Sequence, residues 1–218
     1  MTEELLTPTR ERLLRAAQEL IEEGGYGAAP VAAIAERAGV AAGTLYRHFE
    51  SKQELFVEVF RAVCAREERA MRVAAEDMSS VSAVERLEVV LATFAERALR
   101  NRRLAWALLA EPVDPLVDAE RLAYRERYSS LVAETLEAAI AAGEVPAQSA
   151  ELTAAALVGG CGEVLVGPLS PRADGPLGLR PRPNGPSPSR PAAGARPDTD
   201  ELVGAVRMFV RRAVGATA

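Results

Sequence analysis

Lysine and histidine are almost missing from this chain, which carries one of each in 218 residues, Lys52 and His48, four positions apart. Cysteine is nearly as scarce. Cys64 and Cys161 are too few for a disulfide framework and fit a reducing compartment in which each is a small buried apolar group. Neither sits in a CxxC or beside a basic cluster, which argues against a redox-sensing thiol. Aromatic residues make up 5% of the chain and Ile occurs three times, against 42 Ala, so sheet formers are poor and helix formers abundant. The most apolar stretch, Leu152 to Leu169, is broken by Glu163 and glycines, and the first residues, Met1-Thr-Glu-Glu-Leu-Leu, are acidic where a signal peptide is basic. No membrane partner and no export are expected, and the cytoplasm is the expected location.

Charge excludes a further class. With 26 basic against 31 acidic side chains and a net charge of −5, the chain cannot coat nucleic acid or anionic membrane by charge alone. A local reading head remains open, since 31–52 holds Arg37, Arg47 and Lys52 against Glu36 and Glu50. Catalysis lacks its usual signatures: there is no HExxH, P-loop or GxSxG. Adjacent carboxylates such as Glu22-Glu23 and Glu67-Glu68 face different ways on a helix and form no dyad. No enzyme activity, cofactor or metal is expected.

What is present is helical period. Thr7 and Pro8 read as an N-cap and first-turn proline of a helix over about 8–23, with Leu13, Leu14, Ala17, Leu20 and Ile21 on one stripe that stops at Gly24-Gly25. Two short helices, 31–38 and 42–48, flank Gly39-Val40-Ala41. Ser51-Lys52-Gln53-Glu54 reads as a capping box opening a connecting helix over 52–78. Further helices are expected at about 81–101, 103–110, 115–143, 148–167 and 198–216, linked as in an antiparallel bundle. Residues 168–197 differ in kind, with nine of the fourteen prolines, five Arg and one Asp, and are expected to form a disordered loop. The expected architecture is all-α: an N-terminal three-helix DNA-binding domain over 1–50, then a larger helical bundle over 51–218.

Counting from Val31, a small residue falls at position five (Ala35), a residue tolerant of positive φ at nine (Gly39) and a buried one at fifteen (Leu45). That is helix-turn-helix spacing, and it makes 42–48 the recognition helix. The flanks sharpen it. Gly25-Tyr26, Ile34-Ala35-Glu36-Arg37-Ala38-Gly39-Val40, Gly43-Thr44-Leu45-Tyr46-Arg47-His48-Phe49, Lys52 and Leu55 resemble the DNA-binding region of the TetR/AcrR family of bacterial transcriptional regulators over residues 9 to about 60. The resemblance implies a homodimer with two reading heads on a double-stranded, palindromic operator, a C-terminal domain for ligand binding and dimerisation, and release of DNA when a small-molecule effector binds.

The chemistry of the reading head follows from its side chains. Ala42, Gly43 and Thr44 open the recognition helix toward base edges. Tyr46 and His48 can donate to phosphates, and Arg47 can reach guanine or phosphate. Lys52 and Arg10 are expected on the DNA backbone. Lys52 sits unfavourably in the first turn of its helix, which an external anion would explain. Where relatives carry hydroxyl residues, this chain has Ala29, Pro30 and Ala41. Each lost cap typically costs about 1 kcal/mol, and base readout becomes sparse.

For the effector, Phe94, Trp106, Tyr124 and Tyr128 are the aromatics available in helices 81–101, 103–110 and 115–143. The break at Glu111-Pro-Val-Asp-Pro reads as a gate to such a pocket. For dimerisation, Ala155, Val158, Gly159, Gly162 and Leu165, with Val206 and Phe209, offer small and apolar surface for a four-helix arrangement. Arg97, Arg100, Arg102 and Arg103 read as a solvated helix end. Two other functional classes stay open at this point: a low-specificity nucleoid-type binder without ligand, and an activator or corepressor-dependent regulator.

Overall fold

The computed structural model describes residues 3–78, 81–171 and 198–216. Among these, regular structure is entirely helical: α1 (Glu3–Gly24), a 3-10 turn (Tyr26–Ala28), α2 (Val31–Arg37), α3 (Ala42–His48), α4 (Lys52–Asp77), α5 (Ala83–Arg100), α6 (Arg102–Leu109), α7 (Pro115–Ala141), α8 (Ala150–Leu169) and α9 (Thr199–Ala213). The loop expected at 168–197 lies, from 172 on, outside the described residues.

Local rules set most boundaries. α2 ends where Ala38 gives way to Gly39 at φ 66°, with Gly39 N–H on the Glu36 carbonyl and Val40 N–H on that of Ala35, the double bond of a Schellman turn. The same device closes α7 at Gly143, φ 71°. Asp114 caps α7 through the Leu116 N–H, with Pro115 next, where its missing N–H costs nothing.

Two expectations need correction, and one element was not foreseen. α1 starts at Glu3, so Thr7 is inside the helix and not its cap; Pro8, one turn in, has a helical φ and forfeits a single bond. The capping box at the start of α4 is one-sided. Ser51 Oγ accepts the Glu54 N–H at 3.1 Å, but the Glu54 carboxylate accepts from Glu50 N–H and not from Ser51. The reciprocal box sits instead at Ser82 and Glu85, opening α5. The 3-10 turn after Gly25 carries too little periodicity to be seen in sequence.

Leu13, Ala17, Ile34, Leu45 and Leu55 form the centre of the N-terminal domain, all completely buried. α4 leaves this domain and enters the bundle, where α5 lies against α4, α7 and α9 and α8 lies against α7. α8 has the length and mean hydropathy, 1.6, of a membrane span, but so do core helices of other proteins, and it packs along α7. What it leaves uncovered is apolar: Leu152 is 74% and Val164 45% exposed.

Candidate nucleic-acid interface and effector cavity

The turn at Gly39 sets α3 across α2. Ala35 is buried at the crossing, and Leu45 and Phe49, four apart on the inward face of α3, are buried with it. With those residues turned in, Ala42, Gly43, Tyr46 and Arg47 are turned out and exposed, while Thr44 and His48 are half-buried at the edges. Ala41 offers no side-chain cap, as its missing hydroxyl implies. Arg47 has no ion-pair or hydrogen-bond partner among the described residues, leaving it available to an external anion.

The other cations of this face are held internally. Arg10 pairs with Glu58 of α4 and lies over the Phe49 ring at 4.9 Å, binding α1 to α4 and to the end of α3. Lys52 sits over the rings of Tyr26 and Phe56 at 4.9 and 5.0 Å, and burial pushes its ammonium below the ordinary lysine range. Its place at a helix N-terminus therefore has an internal explanation in the two ring faces. Arg37 is forked onto Glu23 at 2.8 and 2.9 Å, so it adds no free charge.

In the bundle a cavity of about 240 Å³ is enclosed by α4, α5, α6, α7 and α8. Phe60, Phe94, Tyr124 and Tyr128 line it as a chain of rings whose centroids are 5.8 to 6.0 Å apart. Both tyrosine hydroxyls are committed to α4: Tyr124 donates to the Arg61 carbonyl at 3.1 Å and Tyr128 to that of Cys64 at 3.2 Å. Burial holds the Tyr128 hydroxyl protonated and pushes the Cys64 thiol up to about 12. Trp106, expected here, packs half-buried against the core and is not part of the lining.

Arginines tie this domain together by capping helix ends. Arg121 donates to the carbonyls of Ala107, Leu108 and Glu111 at 2.7 to 2.8 Å, closing the C-terminus of α6. Arg102 donates to Pro168 near the end of α8 at 3.2 Å, and Arg103 to Gly24 at the end of α1. Beside Arg103, the Glu111 carboxylate accepts the Tyr26 N–H at 3.2 Å. The cluster expected to be a solvated helix end is thus engaged at three of its four positions, Arg97 being bound to Glu67, because the single residue Asn101 between α5 and α6 turns Arg102 and Arg103 toward other helices. The Glu111-Pro-Val-Asp-Pro break is fastened at Glu111 from both sides.

Residues 13–59 match the family model described as "Bacterial regulatory proteins, tetR family", and residues 80–166 match the "Tetracyclin repressor-like, C-terminal domain". The chain belongs to the TetR family of transcriptional regulators. Among relatives, this regulator is 29% identical to the HTH-type transcriptional regulator UidR of Escherichia coli K12 over 63% of its own length and 69% of that protein. It is 31% identical to the HTH-type transcriptional repressor KstR of Mycobacterium tuberculosis over 62% and 60%. In fold it is similar to the transcriptional regulator FadR of Bacillus subtilis in complex with stearoyl-CoA, with a TM-score of 0.70 at 18% identity over 95% and 99% of the two chains.

The residues expected at a dimer interface fall into two groups in this regulator. Ala155, Gly159 and Phe209 are exposed, whereas Leu165 and Val206 are inside the protomer's own core and cannot meet a partner as it stands. Val158, Gly159 and Gly162 also line the cavity. The exposed apolar surface is better described by Leu152 and Val164 on α8 with Met208 and Phe209 on α9. Sequence reasoning missed the polar lining, Glu67, Arg97, Arg121 and Arg125. One signal for it existed: Arg121, Tyr124, Arg125 and Tyr128 recur at i, i+3, i+4 and i+7, a stripe of arginine and tyrosine facing one way on α7.

Proposed function

We propose that this regulator is a homodimeric, cytoplasmic repressor that holds a twofold operator through α3 and releases it when a small molecule enters the bundle cavity. The observation that carries the reading is the continuity of α4. Its first residue, Lys52, stands beside the recognition helix, and fifteen residues on its Glu67 lines the cavity with Phe60, Val63 and Cys64. A ligand that prefers one position of α4 moves the reading head attached to it. Two heads on a twofold site must be about 34–36 Å apart, so a small displacement costs affinity.

Arg47, Tyr46, Thr44 and His48 are the proposed DNA contacts, with Ala42 and Gly43 admitting the helix closely to the groove. Lys52 and Arg10 position this face. Dimerisation through the exposed faces of α8 and α9 covers Leu152, Val164, Met208 and Phe209, an apolar surface of the kind that marks an interface. The fold's occupancy by stearoyl-CoA in the Bacillus subtilis protein supports a ligand-binding bundle.

Selection of duplexes from a random pool by the full-length chain tests the reading. A palindromic sequence preferred over bulk DNA by about 10³ or more is expected. Binding without such preference would favour the nucleoid-type alternative.

A further inference from the structure

The polar groups of the cavity divide into those already committed and those open to a ligand. Tyr124 and Tyr128 are spent on main-chain carbonyls, Arg121 on main-chain carbonyls and on Asp118, and Asn101 Oδ1 accepts the Leu104 N–H at 3.2 Å to cap α6. Two features remain. Arg97 on α5 grips Glu67 on α4 through Nε and Nη2, at 2.5 and 3.0 Å, and both side chains keep partial exposure where they line the cavity, 33% and 22%. Arg125 lines the same cavity, is exposed, and has no partner among the described residues. Glu163, also exposed and lining, stands with Arg125 among the residues that mark the mouth.

Arg97 is paired with Glu67, and Arg121 with Asp118 at 2.6 Å just outside the lining, so Arg125 is the lining cation without a carboxylate partner among the described residues. A cationic ligand would meet the unpaired Arg125. A neutral one would cover Arg125 without replacing the water it loses, which is costly. An anion supplies what is missing, and a carboxylate in particular presents the same two oxygens to a guanidinium that Glu67 now presents. The remainder of the space is ring-lined and apolar, with a volume of about 240 Å³.

We propose that the effector is a compact apolar molecule ending in an anionic group, that Arg125 receives this anion at the mouth, and that it competes with Glu67 for Arg97. The inference rests on the effector-responsive reading above and names the ligand class and the switch. Exchanging one carboxylate for another on Arg97 leaves that guanidinium paired, so burial of the apolar body drives the exchange. Glu67 is freed from α5, and with it the segment of α4 that leads to the reading head.

The test uses the full-length protein and the selected operator duplex. Probes are 4-phenylbutanoate and decanoate, their neutral amides, and decanoyl-CoA, whose phosphates distinguish an anion borne on a carrier from a free carboxylate. Thermal stability reports binding, and fluorescence anisotropy of the duplex reports release. Either acid, or the thioester, is expected to stabilise the protein and release DNA at concentrations at least tenfold below the matched amide. R125Q should shrink that acid-to-amide ratio by about tenfold. E67Q, which removes the internal competitor, should lower the concentration of anion needed.

Amides as effective as acids, or a ratio untouched by R125Q, would overturn the anion assignment while leaving an effector site in place. No response to any probe would also count against it. Binding that depends on Arg125 without release of DNA would support the site and sink the effector-responsive reading, so the two failures are distinguishable.

Discussion

The guanidinium of Arg103, on α6, donates to the main-chain oxygen of Gly24, the last residue of α1. It joins the wall of the bundle cavity to the DNA-reading domain by a route independent of α4, since Leu104 and Ala105, next in sequence, line that cavity. A cation at a helix C-terminus is favoured by the helix dipole, and here the cation comes from another domain.

Arg103→Met keeps the apolar stem and removes the donor. A charge-assisted bond of this kind is worth about 1.5–3 kcal/mol, which predicts a fall in Tm of several degrees for a chain of this size. Operator release by effector should need a higher concentration in this variant. An unchanged midpoint for release, measured by anisotropy, would show that α4 alone carries the signal.

Gly25 and Gly39 both have positive φ, 82° and 66°. A Cβ at Gly39 would meet nothing, whereas one at Gly25 would lie 2.6 Å from Arg103 Nη2 and 2.8 Å from Glu111 Oε2. G39A is expected to cost about 1–2 kcal/mol for the backbone alone, and G25A more, because it also drives apart the tie between α1 and α6. Chemical denaturation of the two variants checks the order. Equal losses would mean that the tie contributes nothing.

On DNA, Arg47→Ala should weaken operator binding and reduce the salt slope by about one ion. Lys52→Ala should weaken it as well, and here the comparison with Lys52→Met separates roles. If Lys52 works only by packing on Tyr26 and Phe56, Met restores binding; if its charge meets phosphate, Met does not. A salt slope unaltered in all three variants would remove both residues from the interface.

For assembly, Leu152→Glu or Phe209→Glu places a charge in the exposed apolar face of α8 or α9 and is expected to yield monomers by sedimentation, with operator affinity lost in parallel. Gly160→Ala is a milder probe. Its Cβ would lie 3.0 Å from Phe209 Cζ, so Phe209 must shift and the dimer should loosen without dissociating fully. Dimers persisting in both Glu variants would refute this interface.

The two thiols set a pH dependence. Burial raises Cys64 from 9.0 to about 12 and Cys161 from 9.0 to about 11. Between pH 9 and 11 the unfolded chain therefore loses thiol protons that the folded chain keeps, so their stabilising contribution is complete below pH 9 and declines as pH rises through that window. Lys52, whose value is lowered by burial, acts in the opposite direction below its ordinary 10.5. Tm is expected to fall from pH 8.5 to 10.5, and less steeply in the Cys64→Ala, Cys161→Ala double variant. Parallel slopes would contradict the assignment. At neutral pH both thiols should resist alkylation until the protein is unfolded.

Much of the reading head was legible in the chain itself. Ala35, Gly39 and Leu45 act at fixed spacing within one hairpin, where each requirement, a close crossing, a left-handed turn, a buried side chain, is met by the residue at that position. The same locality located α4 and α7, whose ends are set by Ser51, Asp114 with Pro115, and Gly143. The aromatics Phe94, Tyr124 and Tyr128 could be named as candidates because few aromatics exist, but nothing local separated them from Trp106.

Sequence by itself determined the helices, the turn that sets α3 across α2, and the residues that α3 turns outward, because these depend on periodicity and on caps a few residues away. Tertiary structure alone decided where the charges go. Arg103 finds a carbonyl seventy-nine positions away, Arg97 finds Glu67 thirty positions away, and Leu165 and Val206 turn into the protomer's own core. A long arginine side chain can satisfy any helix end within reach, and which end that is follows only from how the helices cross.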